Sequence, residues 1–249
     1  MTSCAFIGLG VMGAPMAGHL AAAGHEVTVF NRTANKAEAW VERHGGRSAL
    51  TPAAAADGAE ITFTCVGNDD DVRAVVLGDD GALSSMAEGS ILVDHTTASA
   101  TLARELHAAG ADRGVGVLDS PISGGQAGAE NGVLTVMCGG DREVFDRASP
   151  VIEAFSRACT LIGPTGSGQL CKMVNQITIA GLLQGLSEAI AFGQRAELDM
   201  ATVLDVISKG AAGSWQLEHR GSTMVADEFD FGFAVEWMRK DLGICFDEA

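Results

Sequence analysis

Short apolar runs alternate with amphipathic stretches along the first two thirds of the chain. Seven runs are rich in valine, isoleucine, threonine and phenylalanine and have the length of strands: 3–8, 25–30, 60–66, 90–95, 115–121, 133–140 and 158–163. The segments between them, such as 33–46 and 99–114, place apolar residues at helical spacing and close at glycine. This alternation predicts βα units, and therefore a doubly wound, mostly parallel α/β sheet with helices on both faces.

The pattern changes after the segment GPTGSG at 163–168. Residues 169–198 lack strand alternation over a length far beyond that of a strand, which predicts one long helix. Because this helix is apolar on nearly all sides, we expect it to be buried, either between domains or in a subunit interface. Two later segments, 200–221 and 233–249, also have a helical pattern. We therefore predict an α/β domain over 1–163 and an all-α domain over 164–249, linked by a long interdomain helix.

Composition and charge narrow the range of partners. The 249 residues include 32 acidic and 16 basic side chains, a formal charge of −16 that repels nucleic-acid phosphates and anionic membrane surfaces. We expect neither nucleic acid nor a membrane as a partner. The six cysteines form no C-x-x-C pair and the histidines show no metal-ligand spacing, so we predict a reduced, cytoplasmic protein without a metal site.

A glycine-rich loop stands between the first predicted strand and the helix that follows it. Its sequence, GLGVMG at 8–13, matches G-x-G-x-x-G in the strand–turn–helix setting of a Rossmann-like dinucleotide site. Such a loop needs glycine for a tight turn, for close approach of the pyrophosphate and for helix packing, and the helix N-terminus supplies amide donors. The predicted cofactor-binding residues here are Gly8, Leu9, Gly10, Val11, Met12 and Gly13.

The end of the second predicted strand carries the signal for cofactor choice. Many NAD-binding proteins have there an acidic residue that binds the ribose 2′-hydroxyl, whereas this chain has Asn31, Arg32 and Thr33. An arginine binds a 2′-phosphate that a carboxylate would repel. The segment therefore favours NADP, with NAD as the alternative.

Two further segments are candidates for the chemistry. Ser123, Gly124 and Gly125 follow a predicted strand, and the two glycines leave backbone N–H groups open to a small carboxylate. The same three residues are equally compatible with an ordinary turn that binds nothing. Lys172 lies near the start of the long apolar helix, with Asn175 and Gln176 three and four residues later on the same face. Burial lowers the pKa of a lysine toward the range that is useful for proton transfer.

These segments together resemble the β-hydroxyacid dehydrogenase family, which includes 3-hydroxyisobutyrate dehydrogenase and tartronate semialdehyde, glyoxylate and succinic semialdehyde reductases. The motifs GLGVMGAPMA, DHTTAS, DSPISGGQAGA, GSGQLCKMVNQ and WMRKDLG occur in family order across essentially the whole chain. The resemblance implies an NAD(P)-dependent oxidoreductase that interconverts a small 3-hydroxy acid and its semialdehyde or 3-oxo acid.

The resemblance also implies roles for individual residues. Lys172 corresponds to the general acid and base, and Ser123, Gly124 and Gly125 to the substrate-carboxylate cradle. Thr96 corresponds to the residue beside the nicotinamide, with Val66 and Lys240 as further cofactor-binding residues. Many relatives have asparagine four residues after the lysine, where this chain has Gln176 and Asn175 one position earlier. Which of the two amides contacts the substrate is therefore left open.

Relatives continue with more helices after the KDLG segment. We therefore expect that the sequence is a fragment or that a partner subunit covers the remaining apolar surface, and in either case a homodimer or homotetramer.

Two alternative functions remain from the sequence. One is an imine reductase-like enzyme, against which Lys172 counts, because such relatives usually lack a lysine there. The other is a non-catalytic nucleotide-binding module.

Overall fold

The structure is a computed structural model that describes residues 1–249. The chain forms two compact units, one of Met1–Lys172 with Phe246–Ala249 and one of Met173–Cys245. The division falls inside one long helix, and the domain boundary expected at 163/164 stays a prediction. None of the helices is long and apolar enough to cross a membrane.

Nine strands form one sheet in the first unit. They are β1 (Ser3–Ile7), β2 (Glu26–Phe30), β3 (Arg47–Ser48), β4 (Ile61–Thr64), β5 (Ile91–Asp94), β6 (Gly116–Asp119), β7 (Ile122–Ser123), β8 (Leu134–Gly139) and β9 (Ser156–Gly163).

Eleven α-helices accompany the sheet. They are α1 (Gly13–Ala22), α2 (Ala34–His44), α3 (Pro52–Ala56), α4 (Asp69–Val76), α5 (Ala100–Ala111), α6 (Gly125–Glu130), α7 (Arg142–Ile152), α8 (Ser167–Arg195), α9 (Met200–Ser208), α10 (Trp215–Val225) and α11 (Val235–Glu248).

The sheet is mostly parallel and doubly wound. Its order is β3-β2-β1-β4-β5-β6-β8-β7, with β9 paired to the other side of β8. Strands β1 to β6 pair in parallel, whereas β8 runs antiparallel to β6 and β7. The predicted Rossmann-like fold class is therefore confirmed. The pattern missed β3 and β7, because two residues are too few to show alternation.

Alternate residues of the central strands enter two separate cores, one on each face of the sheet. Phe6 and Val93 pack with helices α1, α2 and α7, whereas Ile7 and Leu92 pack with α3, α4 and α5. All four side chains are fully buried, as is typical of a parallel sheet that is covered on both faces. Burial of each such side chain stabilises the fold by about 1.5–3 kcal/mol.

The second unit is helical. Leu186 and Ile190 of α8 pack with Met200 and Leu204 of α9 and with Leu217 of α10. The predicted long helix is present, but in the single chain several of its apolar side chains face solvent, with Phe192 72% exposed. The homo-oligomer that would cover them stays a prediction.

Candidate active site

The loop between β1 and α1 contains the residues that the sequence predicts to bind the cofactor's pyrophosphate. Gly8 adopts a φ of 101°, which favours glycine, and its N–H donates to the carbonyl of Phe30 at 2.9 Å. A Cβ on Gly13 would overlap the carbonyl oxygen of Gly8 and lie 2.9 Å from the Phe6 ring, whereas a Cβ on Gly10 would have no heavy atom within 4 Å. The open side of Gly10 and the N-terminus of α1, which no side chain caps, fit an approaching dinucleotide phosphate.

The turn after β2 is held by the side chain of Asn31. Its Oδ1 accepts from the N–H of Leu9 at 2.9 Å, and its Nδ2 donates to the carbonyl of Thr33 at 3.0 Å. Arg32 extends into solvent with 90% of its side chain exposed, and its guanidinium lies 3.5 Å from the Asp71 carboxylate. The turn therefore presents a neutral amide and one cation at the position where the sequence predicts the ribose.

Thr96 links the ends of β4 and β5. Its hydroxyl accepts from the N–H of Val66 at 3.1 Å, and its own N–H donates to Asp94 Oδ1 at 3.0 Å. The hydroxyl of Thr64 also donates to Asp94 Oδ1, at 2.7 Å. Burial raises the pKa of Asp94 to about 6, against the lowering effect of these hydrogen bonds. The predicted cofactor residues Val66 and Thr96 are thus in direct contact.

His95 is a buried, neutral histidine beside this contact. Its Nδ1 donates to the carbonyl of Ser120 at 2.7 Å, and its ring stacks on Phe63 with 5.7 Å between centroids. Burial lowers the pKa of His95 to about 4, and Nε2 is buried without a hydrogen-bond partner. The imidazole therefore holds the strand end at Ser120 through its Nδ1 proton.

The segment after β6 presents the predicted carboxylate cradle. The pairs Asp119–Gly139 and Ile122–Val136 share one antiparallel register, so Ser120 and Pro121 interrupt what is otherwise one strand. Gly124 and Gly125 then adopt φ values of 139° and 62° and are exposed, while Ser123 is half-buried. A side chain would be strained at both glycines, which leaves this backbone accessible.

Lys172 approaches the same segment from the start of α8. The side chain is only 7% exposed, and its Nζ donates to the carbonyl of Ile122 at 2.7 Å. Because Ile122 directly precedes Ser123, the structure brings the predicted proton donor next to the predicted cradle.

The other predicted polar residues form a chain of contacts within the second unit. Gln176 is buried; its Nε2 donates to Asp241 Oδ2 at 2.6 Å, and its Oε1 accepts from Asn175 Nδ2 at 2.8 Å. The Nζ of Lys240 lies 3.0 Å from Asp241 Oδ1. Asp241 thus links Gln176 to Lys240, whereas Asn175 is the more accessible of the two amides.

Sequence reasoning missed two buried residues that organise the site. Asp119 accepts from the N–H groups of Gly166 and Gln169 at 2.7 and 2.9 Å, and burial raises the pKa of its carboxyl. Gln169 bonds through its amide to the segment that follows β5. Both residues lie in motifs that the resemblance singled out, and Gln169 is three residues before Lys172 on the same helix face. That spacing was the available signal.

Family models cover nearly the whole chain. The NAD binding domain of 6-phosphogluconate dehydrogenase matches residues 3–163, and the NAD-binding domain of NADP-dependent 3-hydroxyisobutyrate dehydrogenase matches residues 166–249.

Individual relatives agree with these matches. An uncharacterized oxidoreductase of Shewanella frigidimarina is 61% identical over 249 residues, which is 100% of this chain and 86% of that protein. The 3-hydroxyisobutyrate dehydrogenase of Pseudomonas aeruginosa is 35% identical over 256 aligned residues, with 100% and 86% coverage. The structure of Mycobacterium tuberculosis 3-hydroxyisobutyrate dehydrogenase with L-serine superimposes with a TM-score of 0.88 at 32% identity, over 100% of this chain and 86% of that one.

The fold and the glycine loop define a Rossmann-type oxidoreductase that uses NAD(P). With the motif order and these matches, the chain belongs to the β-hydroxyacid dehydrogenase family, whose members act on hydroxyl groups.

Proposed function

We propose that the protein is an NADP-dependent reductase of small 3-oxo or semialdehyde acids, which also catalyses the reverse oxidation of the corresponding 3-hydroxy acid. The observation that carries this proposal is the buried ammonium group of Lys172, bonded to Ile122 at the edge of the Ser123–Gly125 segment. A proton donor beside a carboxylate cradle is what the reduction of a carbonyl in an acid requires.

The following catalytic and binding roles are proposed for the residues of the chain. The backbone of Ser123, Gly124 and Gly125 binds the substrate carboxylate and orients the carbonyl toward Lys172. The ammonium of Lys172 gives its proton to the carbonyl oxygen and is reprotonated from solvent, and in the oxidative direction the neutral amine takes the hydroxyl proton. The bound nicotinamide supplies or accepts the hydride.

The cofactor is proposed to bind along the first unit. Gly8–Gly13 would hold the pyrophosphate, Val66 and Thr96 would contact the nicotinamide half, and Arg32 would bind the 2′-phosphate. The preference for NADP rests on the neutral Asn31 and the cation of Arg32, because no carboxylate occupies the position that binds the 2′-hydroxyl in many NAD-binding proteins. The roles of Asn175, Gln176 and Lys240 stay predictions of the resemblance.

A substrate panel tests the proposal. Consumption of NADPH or NADH is followed by absorbance with tartronate semialdehyde, succinic semialdehyde, glyoxylate, methylmalonate semialdehyde and a cyclic imine, and 3-hydroxyisobutyrate and L-serine are tested in the oxidative direction. We expect turnover with NADPH on an acid semialdehyde.

Variants of two lysines separate a catalytic from a general effect. Lys172→Ala should lower kcat by about 10²–10⁴-fold, because the proton donor is lost. Lys209→Ala is the matched control, since Lys209 is exposed directly after α9 and its ammonium group pairs with Asp205 of that helix. Near-normal turnover by Lys172→Ala on every accepted substrate would contradict the assigned role. Turnover of the imine alone, or NADPH binding without any turnover, would favour the imine reductase and the non-catalytic module respectively.

A further inference from the structure

The side-chain amide of Gln169 clamps one loop by two hydrogen bonds. Its Nε2 donates to the carbonyl of Thr96 at 2.8 Å, and its Oε1 accepts from the N–H of Ala98 at 3.1 Å. Gln169 is 1% exposed, so both bonds are shielded from water. Because the amide engages the loop through its donor and its acceptor together, it fixes the orientation of that loop as well as its distance from α8.

Asp119 holds the start of α8 in place, and this also fixes the position of Gln169. Its two carboxylate oxygens accept from the backbone N–H groups of Gly166 and Gln169. The carboxylate fits because glycines surround it: a Cβ on Gly139 would lie 2.5 Å from Oδ1, and one on Gly168 would lie 2.8 Å from Oδ2. Two charge-assisted bonds to the first turn leave this end of the helix little freedom to shift.

Lys172 follows Gln169 by three residues, so the two side chains share a face of α8. Lys172 Nζ bonds to Ile122, at the edge of the predicted cradle, while Gln169 bonds to Thr96, the predicted neighbour of the nicotinamide. One turn of α8 thus contacts both the Ile122 segment, which borders the predicted cradle, and the Thr96 segment, which is predicted to lie beside the nicotinamide.

We propose that Gln169 is a positioning residue that holds the Thr96–Ala98 loop in register with Lys172, and so aligns hydride and proton transfer. This inference rests on the proposed reductase function. Its physical basis is that the two transfers occur at adjacent atoms of one carbonyl group, where a displacement of about 1 Å lowers the rate by about 10²-fold.

The test compares Gln169→Leu with the wild-type protein. The leucine side chain has a similar volume but cannot form a hydrogen bond to Thr96 or to Ala98. Without cofactor, the Ala98 amide should exchange its hydrogen about three- to tenfold faster, as expected for the loss of one hydrogen bond. With substrate, kcat should fall about 10- to 100-fold. The KM for the acid should stay near its wild-type value, because the cradle is not touched.

A kinetic isotope effect distinguishes positioning from simple loss of stability. With NADPH deuterated at the transferred position, misalignment makes hydride transfer more rate-limiting, so the isotope effect on kcat should increase in Gln169→Leu. A smaller fraction of folded enzyme would lower the apparent kcat and leave the isotope effect unchanged. Gln184→Leu is the matched control, because Gln184 is exposed on the same helix and bonds only to Glu188.

Gln169→Glu provides a second variant that keeps the side-chain shape. When ionised, its carboxylate accepts from Ala98 but cannot donate to Thr96; when protonated, it can do both. The activity of this variant relative to wild type should therefore recover as the pH is lowered.

The outcomes separate the two proposals. Wild-type turnover together with an unchanged kcat, isotope effect and Ala98 exchange in Gln169→Leu would overturn the positioning role and leave the reductase function intact. Absence of turnover by the wild-type protein across the panel would overturn both.

Discussion

Two glycines of the β1–α1 loop should respond in opposite ways to the same added methyl group. A Cβ on Gly10 meets no atom within 4 Å, whereas a Cβ on Gly13 meets the Gly8 carbonyl and the Phe6 ring. Gly10→Ala should therefore fold normally and place its methyl where the pyrophosphate approaches. We expect its Kd for NADPH to rise about tenfold or more, which corresponds to about 1.4 kcal/mol or more.

Gly13→Ala should instead damage the fold. Overpacking of a fixed backbone costs about 1–3 kcal/mol, which for a chain of this length lowers Tm by about 2–12 °C. Thermal unfolding and fluorescence titration with NADPH measure both properties on both variants. Gly10→Ala that binds NADPH with wild-type affinity would refute the pyrophosphate cradle. An unchanged Tm of Gly13→Ala would refute the packing argument.

Two further predictions concern charge. Because His95 is held neutral with a pKa of about 4, below its usual 6.5, it contributes stability that is complete above pH 6.5 and is lost as pH falls toward 4. Between pH 7 and 4.5 the wild-type protein should lose about 2 kcal/mol more unfolding free energy than His95→Phe, as measured with urea, and parallel losses would contradict the assigned protonation. The carboxylate of Asp71 competes with a 2′-phosphate for Arg32, so Asp71→Asn should increase the ratio of kcat/KM for NADPH to that for NADH by about two- to fivefold. An unchanged ratio of kcat/KM for NADPH to that for NADH would contradict the proposed binding of the 2′-phosphate by Arg32.

Much of the fold follows from local patterns in the chain. The seven predicted strands correspond to β1, β2, β4, β5, β6, β8 and β9, and the predicted long helix corresponds to α8. Burial on both faces of a sheet produces short continuous apolar runs, and glycines close the helices, so these elements are recorded in neighbouring residues. The glycine loop and the candidate lysine could also be predicted, because each is identified by the residues next to it in the sequence.

The partners of the buried polar groups were decided only by the tertiary structure. Gln169 reaches Thr96 across 73 positions and Lys172 reaches Ile122 across 50, separations at which no periodicity carries information. The same holds for Gln176, whose bond to Asp241 leaves Asn175 as the more accessible amide. The sequence by itself predicted seven of the nine strands, the long helix and most of the candidate groups, but not β3, β7 or the roles of Asp119 and Gln169. Packing of distant segments determined which groups meet, because a buried donor or acceptor must find its partner wherever the fold places one.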